Sequence, residues 1–307
     1  MQEHSPIVSV IIPTCNRERF IPRSLGSVLN QSFEDYEIII VDDCSEDNTG
    51  EIVSKYDDKR IRYIRHKKRM GGSAARNTGI RNSNGLFIAF LDDDDEWLPE
   101  KLCLQIELFI KRPELGMVCT GYFYIDDITK KVLKKFSPEK KGFIYKDLLE
   151  TNCLGTTSTA MIRKECFGRV GVFDEDLPAC QDWDMWLRIS KMFEIDFLGQ
   201  PLVKFFIHKN RITRNIKAKI KGRKTILNKY YEDIKKCNKT LSGHHFIIGY
   251  LMCHHGDVFS GRKEIIKAIR LHRYDMGYYK YLFLSLLGAS FYSKLLAIKT
   301  RITNIFV

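Results

Sequence analysis

Between Leu86 and Trp97 the chain reads LFIAFLDDDDEW, an apolar run that ends abruptly in four aspartates and a glutamate. A charge-free apolar segment of this length predicts a buried, parallel strand. Four adjacent carboxylates at its end repel one another and raise each other's pKa unless a cation sits among them. A divalent metal is the natural counter-charge. Hard oxygen ligands suit Mg2+ or Mn2+, and Mg2+ is usually held by one or two carboxylates together with phosphate oxygens. The run therefore predicts a metal-bridged phosphate ligand. The alternative is that Asp92 to Asp95 form a solvated loop or the N-cap of the next helix, although capping accounts for only one or two of them.

The elements that must position this run are legible on either side of it. Ile7 to Ile12 is a β-branched stretch that predicts a core strand stopped by Pro13. Apolar residues at helical spacing from Arg19 to Gln31 predict a helix, and EIIIV at Glu37 to Val41 a second buried strand, completing a β-α-β unit. That strand runs into Asp42 and Asp43, carboxylates at the carboxyl end of a parallel strand, where open α/β sheets place ligands. A short helix about Thr49 to Tyr56, a strand at Ile61 to Ile64 and the segment GGSAARNTGI at residues 71 to 80 follow. The loops at Thr14, Asp43 and Asp92 are then expected along one edge of one sheet. Each alone is ordinary turn chemistry, but together with the intervening glycines they predict a nucleotide site. A Rossmann fingerprint and a Walker A loop are both absent, so NAD binding and P-loop chemistry lose their main support.

At 307 residues, with 44% hydrophobic and 29% charged residues, the chain can hold one large α/β domain with an appendage. The first residues carry no secretory-signal pattern. Nine scattered cysteines without a Cys-x-x-Cys pair argue against a disulfide framework or a zinc site and predict reduced thiols. The net charge of +12 is uneven: residues 1 to 196 hold 28 Lys and Arg against 33 Asp and Glu, and residues 197 to 307 hold 22 against 5, a net of +17. Such a basic C-terminal third predicts an anionic partner.

Five segments in order, VSVIIPTCNR, SVLNQSFEDYEIIIVDDCSEDNT, GGSAARNTGI, FLDDDDEWLPEKL and VGVFDEDLPACQDWDMWLR, resemble the family-2 glycosyltransferases across roughly residues 7 to 208. The resemblance implies an α/β, GT-A (Rossmann-like) fold with a mixed, mostly parallel sheet flanked by helices, and an inverting enzyme that uses a nucleotide-sugar donor. It implies that Pro13, Thr14 and Arg17 form the first nucleotide-binding loop, that Asp43 contacts the base and that Arg76 belongs to the donor site. Asp92 and Asp94 match the ends of the family's Asp-x-Asp motif, with Asp94 the expected direct ligand of Mn2+ or Mg2+ and Asp93 placed to touch the ribose. Asp182 matches the general base that takes the acceptor proton, which is sound chemistry for such a displacement. Where the family often has Glu-Asp, this chain has Gln181-Asp182. His208 sits where relatives carry a histidine that closes over metal or diphosphate, with a structural role as the alternative. Gly155 to Met161 resembles an acceptor-side loop and strand, its threonines equally readable as ordinary strand residues. At helical spacing Asp184 and Arg188 predict a helix-surface ion pair.

Beyond residue 208 the resemblance becomes general, and residues 209 to 307 are expected to form a basic, helical extension. HHGDVFSGRKEIIKAIRLH predicts a helix pair broken at Gly261. The apolar stretch from Tyr278 to Ile298 has a longest charge-free run of 13 residues, short of the about 20 needed to span a bilayer. It predicts an interfacial helix, or one packed on the catalytic domain. The whole therefore predicts a metal-dependent transferase, with a UDP-sugar as expected donor, acting on a glycan or lipid-linked acceptor in surface polysaccharide synthesis. It is expected in the cytoplasm, peripheral at an anionic membrane face, with no nucleic-acid partner. The alternatives are a non-catalytic polyanion- or lipid-binding protein working through the tail, and a sugar nucleotidyltransferase. The latter would need a glycine-rich triphosphate loop after the first strand, and PTCNRER contains no glycine.

Overall fold

The computed structural model describes residues 5–208 and 215–286, which fall into two compact units. The first comprises residues up to Tyr145 with Asn152–Glu175 and Asp182–His208; the second comprises Lys146–Thr151, Asp176–Gln181 and the chain from Lys209 on.

In chain order the elements of the first half are β1 (Val8–Thr14), α1 (Ile21–Leu29), β2 (Tyr36–Asp42), α2 (Thr49–Ser54), β3 (Ile61–Arg65), α3 (Gly72–Arg81) and β4 (Phe87–Phe90). Then follow β5 (Glu96–Trp97), α4 (Lys101–Lys111), β6 (Leu115–Asp126), β7 (Val132–Phe136), α5 (Tyr145–Glu150), β8 (Met161–Arg163), α6 (Lys164–Val170), α7 (Gln181–Ser190) and β9 (Glu194–Ile207). Among the described residues these strands make one nine-stranded sheet in the order β3-β2-β1-β4-β8-β6-β9-β5, with β7 paired to β6 alone. β1 to β4 are mutually parallel, β8 runs against both β4 and β6, and β9 runs parallel to β6. The central strands are buried on both faces: Val8, Val10, Ile12, Ile38, Ile40 and Ala89 share a core with Ile21, Leu25 and Val28 of α1 and Leu102, Ile106 and Phe109 of α4. That explains why they read as continuous rather than alternating apolar runs.

One boundary differs from the sequence expectation. Pro13 does not stop β1 but lies inside it, opposite Val41. The Ile11 carbonyl accepts from Leu91 N–H on the β4 side and the Thr14 carbonyl accepts from Asp43 N–H on the β2 side. Alternation therefore turns Pro13 towards β4, whose pairing has already ended at Ile11 opposite Phe90. No ladder bond is lost, and proline is tolerated there.

In the second unit, α8 (Ile216–Lys229) is capped by Asn215, α9 (Tyr231–Ile234) is a single turn, and α10 (Asn238–His254), α11 (Val258–Leu271) and α12 (Met276–Leu286) follow. The break between α10 and α11 is at Gly256, not Gly261: Gly256 has φ +99°, and Asp257 caps α11 by accepting from Ser260 N–H. Gly261 lies within α11, where a Cβ would come within 2.4 Å of Cys253 Sγ. It is small because two helices touch there. Tyr281, Leu282 and Leu284 of α12 pack against Cys253 and Ile265, while Tyr279, Phe283 and Leu286 are exposed. Residues 287 to 298 of the predicted apolar segment, and 209 to 214 of the basic one, lie outside the described residues. Among the described residues no helix is long and apolar enough to cross a membrane. All nine cysteines are free thiols.

Candidate active site

The carboxyl ends of β1 and β2 are laced together by their loops. Asn16, at φ +54°, donates its N–H to Ser45 Oγ and accepts from Glu46 N–H, and Arg17 N–H donates to Thr49 Oγ1. Asp43 is buried and almost saturated with donors: Met70 N–H, Gly71 N–H at 2.7 Å and His66 Nδ1 at 2.8 Å. Burial opposes its ionisation, but the hydrogen bonds from His66, Met70 and Gly71 outweigh it and hold the carboxyl below its ordinary range. His66 is in turn fixed by Thr78, 2.9 Å from its Nε2. Nothing in the sequence around His66 marks it as part of the site, although it directly follows the end of β3.

The four aspartates after β4 take four different partners. Asp92 Oδ1 accepts from Arg76 at 2.6 Å and from Thr157 Oγ1 at 3.1 Å. Asp93 is buried with Arg17 Nε 3.3 Å away; burial and then the neighbouring Asp94 charge raise its pKa, against the pull of Arg17. Asp94 Oδ2 lies 2.9 Å from His208 Nε2, and its backbone carbonyl accepts from Arg23. Asp95, fully buried, accepts from Ser158 Oγ at 2.7 Å and closes a turn by donating its N–H to the Asp92 carbonyl. So the solvated-loop alternative does not describe this segment: Asp93, Asp94 and Asp95 are all buried.

Thr157 and Ser158 belong to a single 3-10 turn, Thr157–Thr159, rather than to a strand. Their hydroxyls face Asp92 and Asp95, and the Ser158 carbonyl accepts from Trp97 Nε1 at 2.8 Å. Trp97 rests against a fully buried lysine, Lys101, whose Nζ is 3.9 Å from the ring centroid and donates to Gln105. Burial pushes the Lys101 ammonium down to about 7.

Asp182 stands in the first turn of α7, one oxygen accepting from Asn152 Nδ2 at 3.1 Å and the other from Trp183 N–H at 2.8 Å. Burial raises its pKa to about 6, partly offset by Trp183 N–H and by Arg76, while the Asp92 charge pushes the same way as burial. Asn152, 30 residues away in sequence, was not singled out from sequence. Asp184 is not on a helix surface. It is fully buried, its pair with Arg188 spans 2.9 Å, and that guanidinium also donates to the carbonyls of Val170 and Val172.

Arg17, Asp93, Arg76, Asp92, Asp94 and His208 thus gather at the carboxyl ends of β1 and β4, with Asp182 close enough to feel Arg76 and Asp92. Among the described residues no group of three or more His, Cys, Asp or Glu is assembled as a metal cluster. Asp92 faces Arg76 instead. Yet Asp94 and His208 offer one hard oxygen and one imidazole nitrogen, and among the described residues His208 Nδ1 is buried without a partner while its ring stacks on Phe20 at 4.6 Å. A hexacoordinate cation that takes its remaining ligands from phosphate and water needs no more protein ligands than this, so the residues fit such an ion.

Residues 9–177 match the family model described as glycosyl transferase family 2. TuaG of Bacillus subtilis, named for teichuronic acid biosynthesis, is 33% identical over 219 residues, covering 70% of this chain and 84% of that protein. The Escherichia coli protein WfgD, named as a UDP-Glc:alpha-D-GlcNAc-diphosphoundecaprenol beta-1,3-glucosyltransferase, is 29% identical over 229 residues, covering 74% and 87%. Among solved structures, S. aureus TarS aligns with a TM-score of 0.65 at 18% identity over 97% of this chain and 92% of that one. The mannosyltransferase PcManGT of Pyrobaculum calidifontis, in complex with GDP-Man and Mn2+, aligns at 0.59 and 16% identity over 97% and 87%. Those likenesses fix the fold as GT-A.

Proposed function

The chain belongs to glycosyl transferase family 2 and is a glycosyltransferase; on that premise we propose that it transfers a sugar, with inversion, from a UDP-sugar to a hydroxyl of a lipid-linked glycan. The observation that carries this reading is the Asp182 carboxylate, oriented by Asn152 and Trp183 beside the Arg76–Asp92 pair, where burial pushes its pKa up to about 6. A base poised near the working pH can take a proton and still be regenerated. As the acceptor oxygen bonds to the anomeric carbon, its proton passes to Asp182 and the bond from that carbon to the diphosphate oxygen breaks on the opposite face.

Asp43, its charge held by three donors, would accept from the base, and Thr14 and Arg17 would line the path of the nucleoside. Pro13, inside β1 and opposite Val41, leads directly into that loop. Asp93 is offered to the ribose once Arg17 shifts towards phosphate. Asp94 and His208 would hold Mn2+ or Mg2+, with Asp92 completing the motif's second carboxylate; such an ion, when bound, supplies charge neutralisation for the departing diphosphate. Arg76 adds a fixed positive charge at the same place.

The donor class draws support from the names of relatives, WfgD for a UDP-sugar and an undecaprenol-diphosphate-linked acceptor, and from TarS, solved in complex with UDP-GlcNAc. A lipid-linked acceptor implies work at a membrane face, and the exposed Tyr279, Phe283 and Leu286 on α12 together with the basic tail suit one. The test is a screen of nucleotide sugars for slow, Asp94-dependent hydrolysis. Turnover of no nucleotide sugar in the presence of Mn2+ or Mg2+ would overturn the reading.

A further inference from the structure

The β6–β7 hairpin is the part of the first unit that its packing does not explain. Every residue from Ile128 to Lys135 is exposed, and among the described residues β7 pairs with β6 alone. The segment combines bulky apolar side chains, Ile128 at 82%, Val132 at 59% and Leu133 at 39% exposure, with Lys131, Lys134 and Lys135. Lysines on an edge strand commonly guard it against pairing with another chain. That accounts for the charges, but it does not account for three large aliphatic side chains placed in water among them. Aliphatic groups flanked by long basic side chains are the composition that enters the head-group region of a bilayer, the lysine stems lying along the apolar layer and the ammonium groups meeting lipid phosphate.

We propose that this hairpin docks on an anionic lipid bilayer and sets the rim of the active site against it. The inference rests on the lipid-linked acceptor proposed above, and it places a membrane contact on the catalytic unit itself, in addition to any made by the C-terminal tail. The root of the hairpin is tied to the site by one buried carboxylate. Asp127 accepts from Lys130 at 2.8 Å and from Arg23 at 2.8 Å, and Arg23 also donates to the Asp94 carbonyl. Asp127 N–H donates to Ile207, the residue before His208. A bilayer that receives the hairpin is therefore held at a fixed place relative to Asp94 and His208.

The experiment is vesicle partitioning of the full chain with mixtures of phosphatidylglycerol and phosphatidylcholine, beside donor hydrolysis by the same samples in vesicle-free solution. Replacing Lys131, Lys134 and Lys135 by Gln is expected to weaken partitioning about fivefold per lysine, roughly a hundredfold in all. Replacing Ile128, Val132 and Leu133 by Ser should weaken the part of the binding that survives high salt. Because the native Trp97, Trp183 and Trp186 are buried, an Ile128→Trp variant reports directly: its emission should move to the blue on adding anionic vesicles. Partitioning of both triple variants equal to that of the unaltered chain, or an unchanged emission, overturns the hairpin as the docking surface and leaves the tail as the membrane contact. Failure of the unaltered chain to hydrolyse any nucleotide sugar is a separate result, which overturns the proposed function whatever the vesicles show.

Discussion

Asp94 and His208 are 114 residues apart in the chain and 2.9 Å apart in the fold, with the second ring nitrogen of His208 buried and, among the described residues, unpartnered. A carboxylate and an imidazole meet here at the end of β4, against a loop that Arg23 holds by its backbone. UDP is therefore expected to bind weakly in EDTA and more tightly with Mn2+, with Asp94→Ala removing the metal effect and His208→Ala reducing it. Calorimetry reads this directly. Equal UDP affinity in EDTA and in Mn2+ would sink the metal-bridge model.

Asp182→Asn should preserve donor binding and lower turnover by about 10² or more, as expected for loss of a general base. In the unaltered enzyme kcat should rise as pH increases through about 6, where the Asp182 carboxylate becomes free to accept a proton; the variant should lack that rise. Near-normal turnover in the variant would show that another group is the base.

The same raised pKa has a consequence for stability. The native carboxyl holds its proton to higher pH than the unfolded one, so its stabilising contribution is present at low pH and is lost as pH rises through about 6. Without donor or metal, Asp182→Asn should melt higher than the unaltered chain at pH 7.5, by a few degrees at most, and alike at pH 4. Equal melting at both values would mean that Asp182 is charged at little cost.

Asp184→Asn should behave in the opposite way. Removing one member of a buried ion pair costs about 3 kcal/mol or more, because Arg188 would keep its charge among the carbonyls of Val170 and Val172 with no carboxylate beside it. Urea unfolding should show the loss, while turnover per folded molecule stays close to normal. A turnover defect without a stability defect would move the catalytic role from Asp182 to Asp184.

Lys101 gives a signal at alkaline pH. Its folded pKa is depressed to about 7, so between there and the unfolded lysine value the unfolded chain binds the extra proton and stability rises with pH. The limiting slope for one group is about 1.4 kcal/mol per pH unit. Lys101→Met should flatten the stability profile between pH 7 and 9. An unchanged profile would indicate that the Trp97 ring and Gln105 keep the ammonium charged.

What was readable in advance was whatever is written locally. The strands before Thr14, Asp43 and Asp92, and the abrupt change from apolar to acidic at Leu91, are signals within a few residues of one another. Thr157, Ser158 and Asn152 are not of that kind. They reach Asp92, Asp95 and Asp182 from 65, 63 and 30 residues away, and a threonine-rich segment carries no mark of which carboxylate it will meet. The spacing of Asp184 and Arg188 is the same for a buried pair as for an exposed one, so periodicity alone placed it on the surface. Gly256 and Gly261 look equivalent in sequence; only packing assigns one to a turn and the other to a helix contact.

Pro13 lies at the point where the sheet changes direction of growth, β2 and β3 being added on one side of β1 and β4 on the other. Beyond Ile11 opposite Phe90 the two strands part, and the next residue on β1 that would face β4 has no hydrogen to offer. A further rung there would lack the bond that an N–H at this position donates. A nucleotide bound as proposed, between Thr14 and Asp92, would therefore meet no ladder bond donated by residue 13, a consequence of the covalent structure of one imino acid.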